Sequence, residues 1–338
     1  MPSIIEQIAA DLNISSASVS RALNDRPGVG TALRERILER ARELNYTPSL
    51  LARGLATSRT FTLGFFVREK PGLPTHNDPF YGPILQGMEQ YCAQTDYHVT
   101  IATLTDEIVA EPQNFRFVKE RRIDGMILAG PDIPSGFITS LASSDIPMVL
   151  VDNRLEYISL NTVNSDNEVG GLMAAQHLIE GGHRSIGIAT GPIDWHSASQ
   201  RMQGYERALR RAGLPLQAVH MDRTTIDSGQ EAYRLLNERY PDLTAICAVN
   251  DSMAIGVIRA AQQHGKRVPD DLSVVGFDDI DWAALNHPAL STIHIPKRQL
   301  GQEAARRLID VIDAPNMTPA AVTLAVQFVE RESTRALG

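Results

Sequence analysis

The sequence is poor in cysteine and has no long apolar run. Only Cys92 and Cys247 occur among 338 residues, far apart and within apolar-patterned segments. This predicts buried free thiols rather than a disulfide framework. No apolar run is long enough to span a membrane, and Glu6 and Asp11 in the first predicted helix are untypical of a signal peptide. These absences predict a cytoplasmic protein that has no membrane partner.

The sequence also lacks the common signatures of catalysis and of cofactor binding. It contains no glycine-rich loop of the Walker or dinucleotide-binding type, and no GxSxG nucleophile elbow. Its nine histidines are scattered without the spacing of a metal site. We therefore expect no enzymatic activity, no cofactor and no metal.

Lysine is absent from residues 1–60, although the whole chain has a formal charge of −8. These residues hold eight Arg and six Asp or Glu, so their formal charge is about +2 and that of the remainder is about −10. The overall charge argues against nucleic-acid binding, but its distribution leaves a weakly basic N-terminal segment. Such a segment attracts phosphate modestly and in a salt-sensitive way.

Residues 3–24 predict two short helices joined by a tight turn. Ser3 and Glu6 have the spacing of a capping box, and an apolar face follows at helical spacing. Asn13 interrupts this pattern, and Ser15 is placed to cap a second helix. The pair suits a helix-turn-helix, whose second helix enters the DNA major groove. For this segment alone, an ordinary helical hairpin is the alternative.

The next segment contains motifs of a known family. A third amphipathic helix (TALRERILERARELNY) is followed by TPSLLARGLATSRT, and the motifs VSRALN, LNYTPS and ARGLA occur in order. The chain resembles the LacI/GalR family of bacterial transcription regulators, and the resemblance covers essentially the whole sequence. It implies a DNA-binding headpiece over 1–48, a hinge helix and linker over 49–60, and an effector-binding and dimerisation domain over 61–338.

From residue 61 onward, short apolar strands alternate with amphipathic helices. The predicted strands are 61–67, 98–104, 124–129 and 147–152 in one set, and 185–190, 218–222, 244–249 and 272–277 in a second. Alternation of this kind predicts parallel sheets with helices on both faces. The fold class is therefore α/β: a helical headpiece followed by two doubly wound halves that face each other across a cleft.

The resemblance adds the connectivity of these halves, which periodicity does not show. It implies a periplasmic-binding-protein-like body in which the chain crosses between the halves three times. The half nearer DNA then comprises about 61–161 and 292–323. The distal half comprises about 162–291 and 324–338.

For DNA recognition, the resemblance places Ser16 and Ala17 at base-reading positions, with Arg21 one turn later. Because Ala17 offers only a methyl group, Arg21 carries most of the expected readout, and arginine to guanine is the commonest specific contact. Leu55 matches the leucine that wedges between base pairs in the minor groove. We infer that the hinge around it is ordered only on DNA. The other predicted DNA contacts are Ser15, Ser20, Asn24, Tyr46 and Arg53.

For the effector, the resemblance singles out Arg201 and Asp278, in GPIDWHSASQRMQGY and VVGFDD. An arginine fork suits hydroxyl, carboxylate or ring-edge acceptors, and a carboxylate accepts two adjacent sugar hydroxyls. A solvated helix arginine is the alternative for Arg201, and structural capping is the alternative for Asp251 and Asp279. The other predicted ligand contacts are Phe80, Tyr81, Asp152, Asp166, Trp195, Ser197, Asn250 and Trp282.

Several of these contacts have a structural alternative. Phe80 and Tyr81 either stack on a ligand ring or cap the predicted helix 80–95 and pack inward. Asp152 either contacts a ligand or belongs to a turn. Trp195 suits the face of a sugar and favours a carbohydrate over a phosphate-rich effector.

The sequence is therefore interpreted as a homodimeric, ligand-controlled repressor that binds a pseudo-palindromic operator. The expected effector is a sugar or glycoside that releases the repressor from carbohydrate-utilisation genes. One alternative is a regulator with a nucleobase-type corepressor. A second is a transport-type sugar-binding protein, which has no use for residues 1–60. No leucine heptad follows the last predicted elements, so no tetramer-forming tail is expected.

Overall fold

The computed structural model describes residues 3–23, 27–46, 54, 57, 59–70 and 72–337. Three helices open the chain: α1 (Ile4–Leu12), α2 (Ser16–Leu23) and α3 (Thr31–Glu43). They enclose a small core of their own, formed by Ile8, Ala9, Val19, Ala22, Ile37 and Ala41. The headpiece thus has its own apolar interior.

Local side-chain chemistry sets the ends of the first two helices. The Ser3 amide donates to Glu6 Oε2 at 2.7 Å, and the Glu6 amide donates to Ser3 Oγ at 3.3 Å, which completes the predicted capping box. Asn13 ends α1 with a φ of 52°, a left-handed conformation that asparagine tolerates. Ser15 Oγ then accepts from the Ser18 amide at 3.1 Å. The predicted helix-turn-helix is confirmed.

The first sheet of the body has six parallel strands in the order β11-β5-β4-β3-β1-β2. They are β1 (Thr62–Arg68), β2 (His98–Leu104), β3 (Gly125–Ala129), β4 (Met148–Val151), β5 (Asn161–Ser165) and β11 (Ala321–Leu324). The helices of this half are α4 (Tyr81–Cys92), α5 (Asp106–Ala110), α6 (Arg116–Lys119), α7 (Ser135–Ala142) and α13 (Lys297–Asp313), with 3-10 turns at Thr75–Asn77 and Pro112–Asn114. We call this half the first lobe.

The second sheet has four parallel strands in the order β7-β6-β8-β9. They are β6 (Ile186–Thr190), β7 (Gln217–His220), β8 (Ala245–Ala248) and β9 (Ser273–Val275). The helices of this second lobe are α8 (Asn167–Glu180), α9 (His196–Arg211), α10 (Ile226–Arg239), α11 (Asp251–Gln263) and α12 (Asp281–Leu285). The predicted α/β class with two parallel sheets is confirmed.

The chain passes between the lobes three times. The connections are β5 to α8, β10 (Thr292–His294) to α13, and β11 to β12 (Gln327–Val329). Strands β10 and β12 pair antiparallel beside the second lobe. The predicted domain limits stay a prediction, since most of 47–58 lies outside the described residues.

All eight strands predicted from the sequence are present, with ends that differ by two residues at most. Four strands were not predicted: β5, β10, β11 and β12. Both cysteines are free and buried, as predicted. Within the described residues, no helix combines the length and the apolarity needed to span a bilayer.

Reciprocal glycines allow two helices of the first lobe to touch at their backbones. A Cβ atom on Gly301 of α13 would lie 1.9 Å from the carbonyl oxygen of Ile84 in α4, and one on Gly87 of α4 would lie 1.9 Å from that of Arg298. The second lobe repeats this contact at Gly171 with Gly204 and at Gly229 with Gly256. Each lobe is therefore built around closely crossed helices.

Gly301→Ala should lower the free energy of unfolding by about 1–3 kcal/mol or more, because the added methyl group overlaps a backbone oxygen that cannot move alone. Thermal or urea unfolding of the full chain measures the loss. The matched control is Gly136→Ala on α7, where an added Cβ meets nothing within 4 Å; it should leave stability unchanged or raise it. Equal midpoints for the two variants would contradict this packing.

Candidate functional site

Loops at the carboxyl ends of strands from both sheets surround one cavity of about 570 Å³, measured with its open mouth. Eight of the ten predicted ligand contacts line it: Phe80, Tyr81, Asp152, Trp195, Ser197, Arg201, Asn250 and Asp278. Lys70, Pro131, Asp132, Ala198, Thr224 and Val249 complete the lining.

Arg201 is the buried centre of the cavity, with 5% of its surface exposed. Its Nε donates to Asn167 Oδ1 at 2.8 Å, and its Nη1 donates to the carbonyl of Val249 at 2.5 Å. Its Nη2 lies 3.1 Å from Asp278 Oδ1, and its Cζ lies 3.8 Å from the centre of the Phe277 ring. Arg201 is therefore not a solvated helix arginine, and its fork still has N–H groups to offer a ligand.

Asp278 has an unfavourable backbone conformation that contacts with neighbouring residues stabilise. Its φ is 108°, a region that costs a non-glycine residue about 1–3 kcal/mol. The buried ammonium of Lys297 donates to the carbonyls of Asp278 and Asp279. Asp278 Oδ1 is buried and receives no well-aligned hydrogen bond from the described residues. This oxygen is consequently available to a hydroxyl donor.

Two further carboxylates face the same space from the first lobe. Asp152, at the end of β4, is 8% exposed and has a φ of 54°. Burial raises the pKa of Asp152 to about 7, against the lowering effect of Arg201, and Asp278 adds to the rise. Burial also raises the pKa of Asp132, which Lys70 partly offsets. The cavity therefore concentrates acidic groups in a desolvated place.

Aromatic side chains form part of the walls. Phe80 and Tyr81 stand edge to face with their ring centres 5.1 Å apart, and Tyr81 is buried. Asp78 Oδ1 accepts from both of their amides, and Asp78 Oδ2 lies 2.7 Å from the ammonium of Lys70. Tyr81 therefore packs inward at the start of α4 and lines the cavity as well. Trp195 lines the same cavity from the second lobe.

Two predicted ligand contacts lie outside the cavity lining. Asp166 Oδ1 accepts from the Val169 amide at 3.1 Å and so caps α8. Trp282 lies on the short helix α12 with 42% of its surface exposed. Sequence spacing alone did not show which way these side chains face.

Asp251 and Asp279 bond within the second lobe, but neither caps the helix that follows it, since Asn250 Oδ1 accepts from the Met253 amide and caps α11. Asp251 is fully buried; it accepts from the Thr292 hydroxyl at 2.5 Å and from the Ile280 amide at 2.9 Å. Asp279 pairs with Arg331 at 2.6 Å and with His294 at 2.8 Å. Asp251 thus connects α11 to β10, and Asp279 connects the turn after β9 to β10 and to Arg331 beyond β12.

Lys70 and Asp132 are cavity residues that the sequence analysis missed. Both follow predicted strands, at the edge where ligands of such sheets bind. Asp132 comes directly after the strand 124–129 in the segment AGPD, so the same rule that selected Asp152 was available for it. Within the described part of the chain, no group of three or more His, Cys, Asp or Glu residues is arranged to hold a metal ion.

Five of the six predicted DNA contacts that the structure describes lie on or beside α2. Ser15, Ser16, Ala17 and Arg21 are exposed on or beside α2, and Ser20 is half-buried there. Tyr46 is half-buried and packs against the headpiece core. The remaining three predicted contacts, Asn24, Arg53 and Leu55, fall outside the described residues.

Comparisons with known proteins cover both parts of the chain. Residues 4–49 match the family described as bacterial regulatory proteins, lacI family, and residues 175–334 match the periplasmic binding protein-like domain. The ribose operon repressor of Haemophilus influenzae is 33% identical over 335 residues, which covers 98% of this chain and 99% of the relative.

Solved structures agree over nearly the full length. A complex of the transcriptional regulator CelR with cellobiose has a TM-score of 0.74 at 30% identity and covers 98% of this chain and 100% of that one. The lac repressor dimer bound to operator and the anti-inducer ONPF has a TM-score of 0.78 at 26% identity, with coverage of 99% and 100%. The chain belongs to the LacI family of bacterial regulators, which are ligand-responsive DNA-binding repressors and not enzymes.

Proposed function

We propose that this protein represses carbohydrate-utilisation genes as a homodimer on a pseudo-palindromic operator, and that a sugar or glycoside releases it. The observation that carries the proposal is the cavity between the lobes. It joins aromatic rings (Phe80, Tyr81 and Trp195) to a buried arginine–aspartate pair (Arg201 and Asp278). Because the regulator acts on chromosomal DNA, we place it in the bacterial cytoplasm.

The chemistry of the walls suits a polyhydroxy ring. Aromatic faces pack against the C–H faces of a sugar, while carboxylates and the arginine fork bond to its hydroxyls. The relatives support a sugar as the effector, since one related structure holds cellobiose and one related repressor is named for a ribose operon.

A ligand in this cavity touches both lobes at once. Tyr81 and Asp152 belong to the first lobe, and Arg201 and Asp278 belong to the second. Contacts on both sides change the relative free energy of the open and closed arrangements. An inducer must favour the arrangement with low operator affinity, because equal binding to both would shift nothing.

The linker to the headpiece is attached to the first lobe. The Thr60 amide donates to Asp124 Oδ1 at 2.7 Å, and the Phe61 amide donates to Asp124 Oδ2 at 2.8 Å. Arg59 pairs with Asp313 at the end of α13. We infer that movement of this lobe moves the two linkers of a dimer and changes the spacing of the headpieces.

The direct test is a thermal-shift screen of sugars, glycosides and nucleobases, because a ligand that binds only the folded state raises the unfolding midpoint. The bound compound is then added to the protein on a duplex that the wild-type protein selects from a random pool. A sugar that raises the midpoint and releases the duplex supports the proposal. A rise with purines alone would replace it with a nucleobase-controlled regulator.

Arg201→Lys should weaken binding of the compound found in the screen by roughly 10–150-fold, since the lysine keeps the charge but loses the fork, and hydrogen bonds to charged groups contribute about 1.5–3 kcal/mol. Operator affinity without ligand should stay unchanged. Isothermal calorimetry and DNA titration measure the two quantities. The control is Arg207→Lys on the same helix, whose partner Glu168 lies outside the cavity lining. Undiminished ligand affinity in Arg201→Lys would remove Arg201 from the site.

Arg21→Ala should reduce affinity for the selected duplex by about 1–3 kcal/mol per half-site and relax the base preference at one position in each. The reason is that Arg21 is the only long side chain among the predicted base-reading residues. Fluorescence anisotropy with duplexes substituted at single positions measures both effects. Arg210→Ala removes the same charge from the exposed end of α9 and should bind as the wild type does. Retained base preference in Arg21→Ala would refute this assignment.

Asp152→Asn should stabilise the ligand-free protein at pH 8 by up to about 4 kcal/mol, at about 1.4 kcal/mol for each unit by which the pKa is raised. A carboxyl group with a raised folded-state pKa, about 7 here, binds more protons when folded than when unfolded. Its contribution to stability is therefore lost as the pH rises from about 4 to 7. The difference between the unfolding midpoints of the two proteins should be largest at pH 7 to 8 and should narrow steadily toward pH 5. A constant difference across this range would contradict the raised pKa.

A further inference from the structure

The charges around the cavity are unequal in number. Two cationic side chains line it, Lys70 and Arg201, against three carboxylates, Asp132, Asp152 and Asp278. The sum alone does not decide what binds. What matters is which of these charges already have a partner of opposite sign.

Both cations already have a carboxylate partner. Arg201 Nη2 lies 3.1 Å from Asp278 Oδ1, and Lys70 Nζ lies 2.7 Å from Oδ2 of the buried Asp78. Lys70 also stands 4.7 Å from the centre of the Tyr81 ring, which fixes its ammonium further. Each pair is close to neutral as seen by a ligand.

The carboxylates of the first lobe have no such partner. Among the described residues, no Lys, Arg or His nitrogen lies within 4.0 Å of the carboxylate of Asp132 or of Asp152. Arg68, the other cation that acts on Asp132, is paired with Asp106 at the surface. The Ser197 hydroxyl is the side-chain partner of Asp152, and it is neutral.

We propose that the effector carries no negative charge, and that Asp132 and Asp152 exclude phosphorylated and acidic sugars from the cavity. This inference rests on the proposed sugar effector and adds its charge class. A neutral polyol donates hydroxyl hydrogens to both carboxylates and keeps them satisfied. A phosphate or carboxylate offers them only acceptor oxygens, and no uncommitted cation within the described lining balances its charge.

The expected discrimination is large. Like charges a few ångströms apart at an effective dielectric constant of about 20 repel enough to change affinity about a hundredfold. Specificity of this kind depends on the repulsive element as much as on attractive contacts. Asp132 and Asp152 are thus specificity-determining residues in addition to ligand contacts.

The experiment compares matched neutral and anionic sugars on the full-length protein. D-ribose is paired with ribose 5-phosphate, and D-glucose with glucose 6-phosphate and glucuronate; cellobiose is a further neutral probe. Midpoints are measured at pH 8, where Asp152 is ionised, and at constant ionic strength, and calorimetry follows for every compound that raises them. The expected result is that a neutral sugar binds and its anionic derivative binds at least about a hundredfold more weakly.

Variants then test whether the two aspartates are responsible. We call the ratio of the affinity for a neutral sugar to that for its anionic derivative the affinity gap. The double variant Asp132→Asn with Asp152→Asn should reduce this gap at least tenfold, and Asp132→Asn alone should reduce it in part. The control Asp145→Asn removes the same charge from an exposed turn and should leave the gap unchanged. Because the readout is a ratio of two affinities, a general loosening of the cavity does not reproduce it.

Three results would overturn the inference. An anionic sugar that binds the wild-type protein as tightly as its neutral partner refutes the charge class, while the proposed sugar effector survives. A gap that persists in the double variant refutes the role of the two aspartates. If no neutral sugar binds at all, the proposed function falls, and this inference falls with it.

Discussion

The buried ion pair between Arg201 and Asp278 is the interaction on which the effector cavity depends. The guanidinium contacts four groups from three segments of the second lobe: the side chain of Asn167, the carbonyl of Val249, and the Phe277 ring with the neighbouring Asp278 carboxylate. Removing a buried charge from such a set leaves its partner desolvated and alone, which is strongly destabilising. The same fork that organises these loops is the group best suited to bind a ligand hydroxyl. In the proposed function, one side chain therefore serves both structure and recognition.

Two aspartates of the cavity are held in strained and desolvated conformations. Asp152 and Asp278 have left-handed backbones, and burial raises the pKa of both carboxyl groups. Lys297 compensates at Asp278 by donating to two carbonyls of its turn. Strain and desolvation of this kind collect at binding sites because surrounding structure fixes them in advance. A ligand that donates to these carboxylates replaces the hydration that they lost on folding.

The architecture is consistent with the proposed coupling between the cavity and the DNA-binding end. Within each lobe, crossed helices touch at glycines such as Gly87 and Gly301, so the helices cannot slide without backbone overlap. Between the lobes, only three chain connections join the two sheets. Rigid lobes with few connections respond to a ligand as units, which is the hinge type of closure. Asp124 and Asp313 fix the linker to the first lobe, so in the proposed function a movement of this lobe would displace the headpiece.

By itself, the sequence determined the helix-turn-helix, the two parallel sheets and most of the cavity, because capping residues, apolar periodicity and family motifs are local signals. It missed β5, whose buried Asn161 and Asn164 bond to neighbouring elements instead of forming an apolar run. It also missed β10 and β12, since three-residue strands are defined by long-range pairing. Only the tertiary structure decided which aspartates line the cavity: Asp132 does so, while Asp166 caps a helix and Asp279 binds Arg331. Side-chain direction and charge pairing depend on distant segments, and no local pattern encodes them.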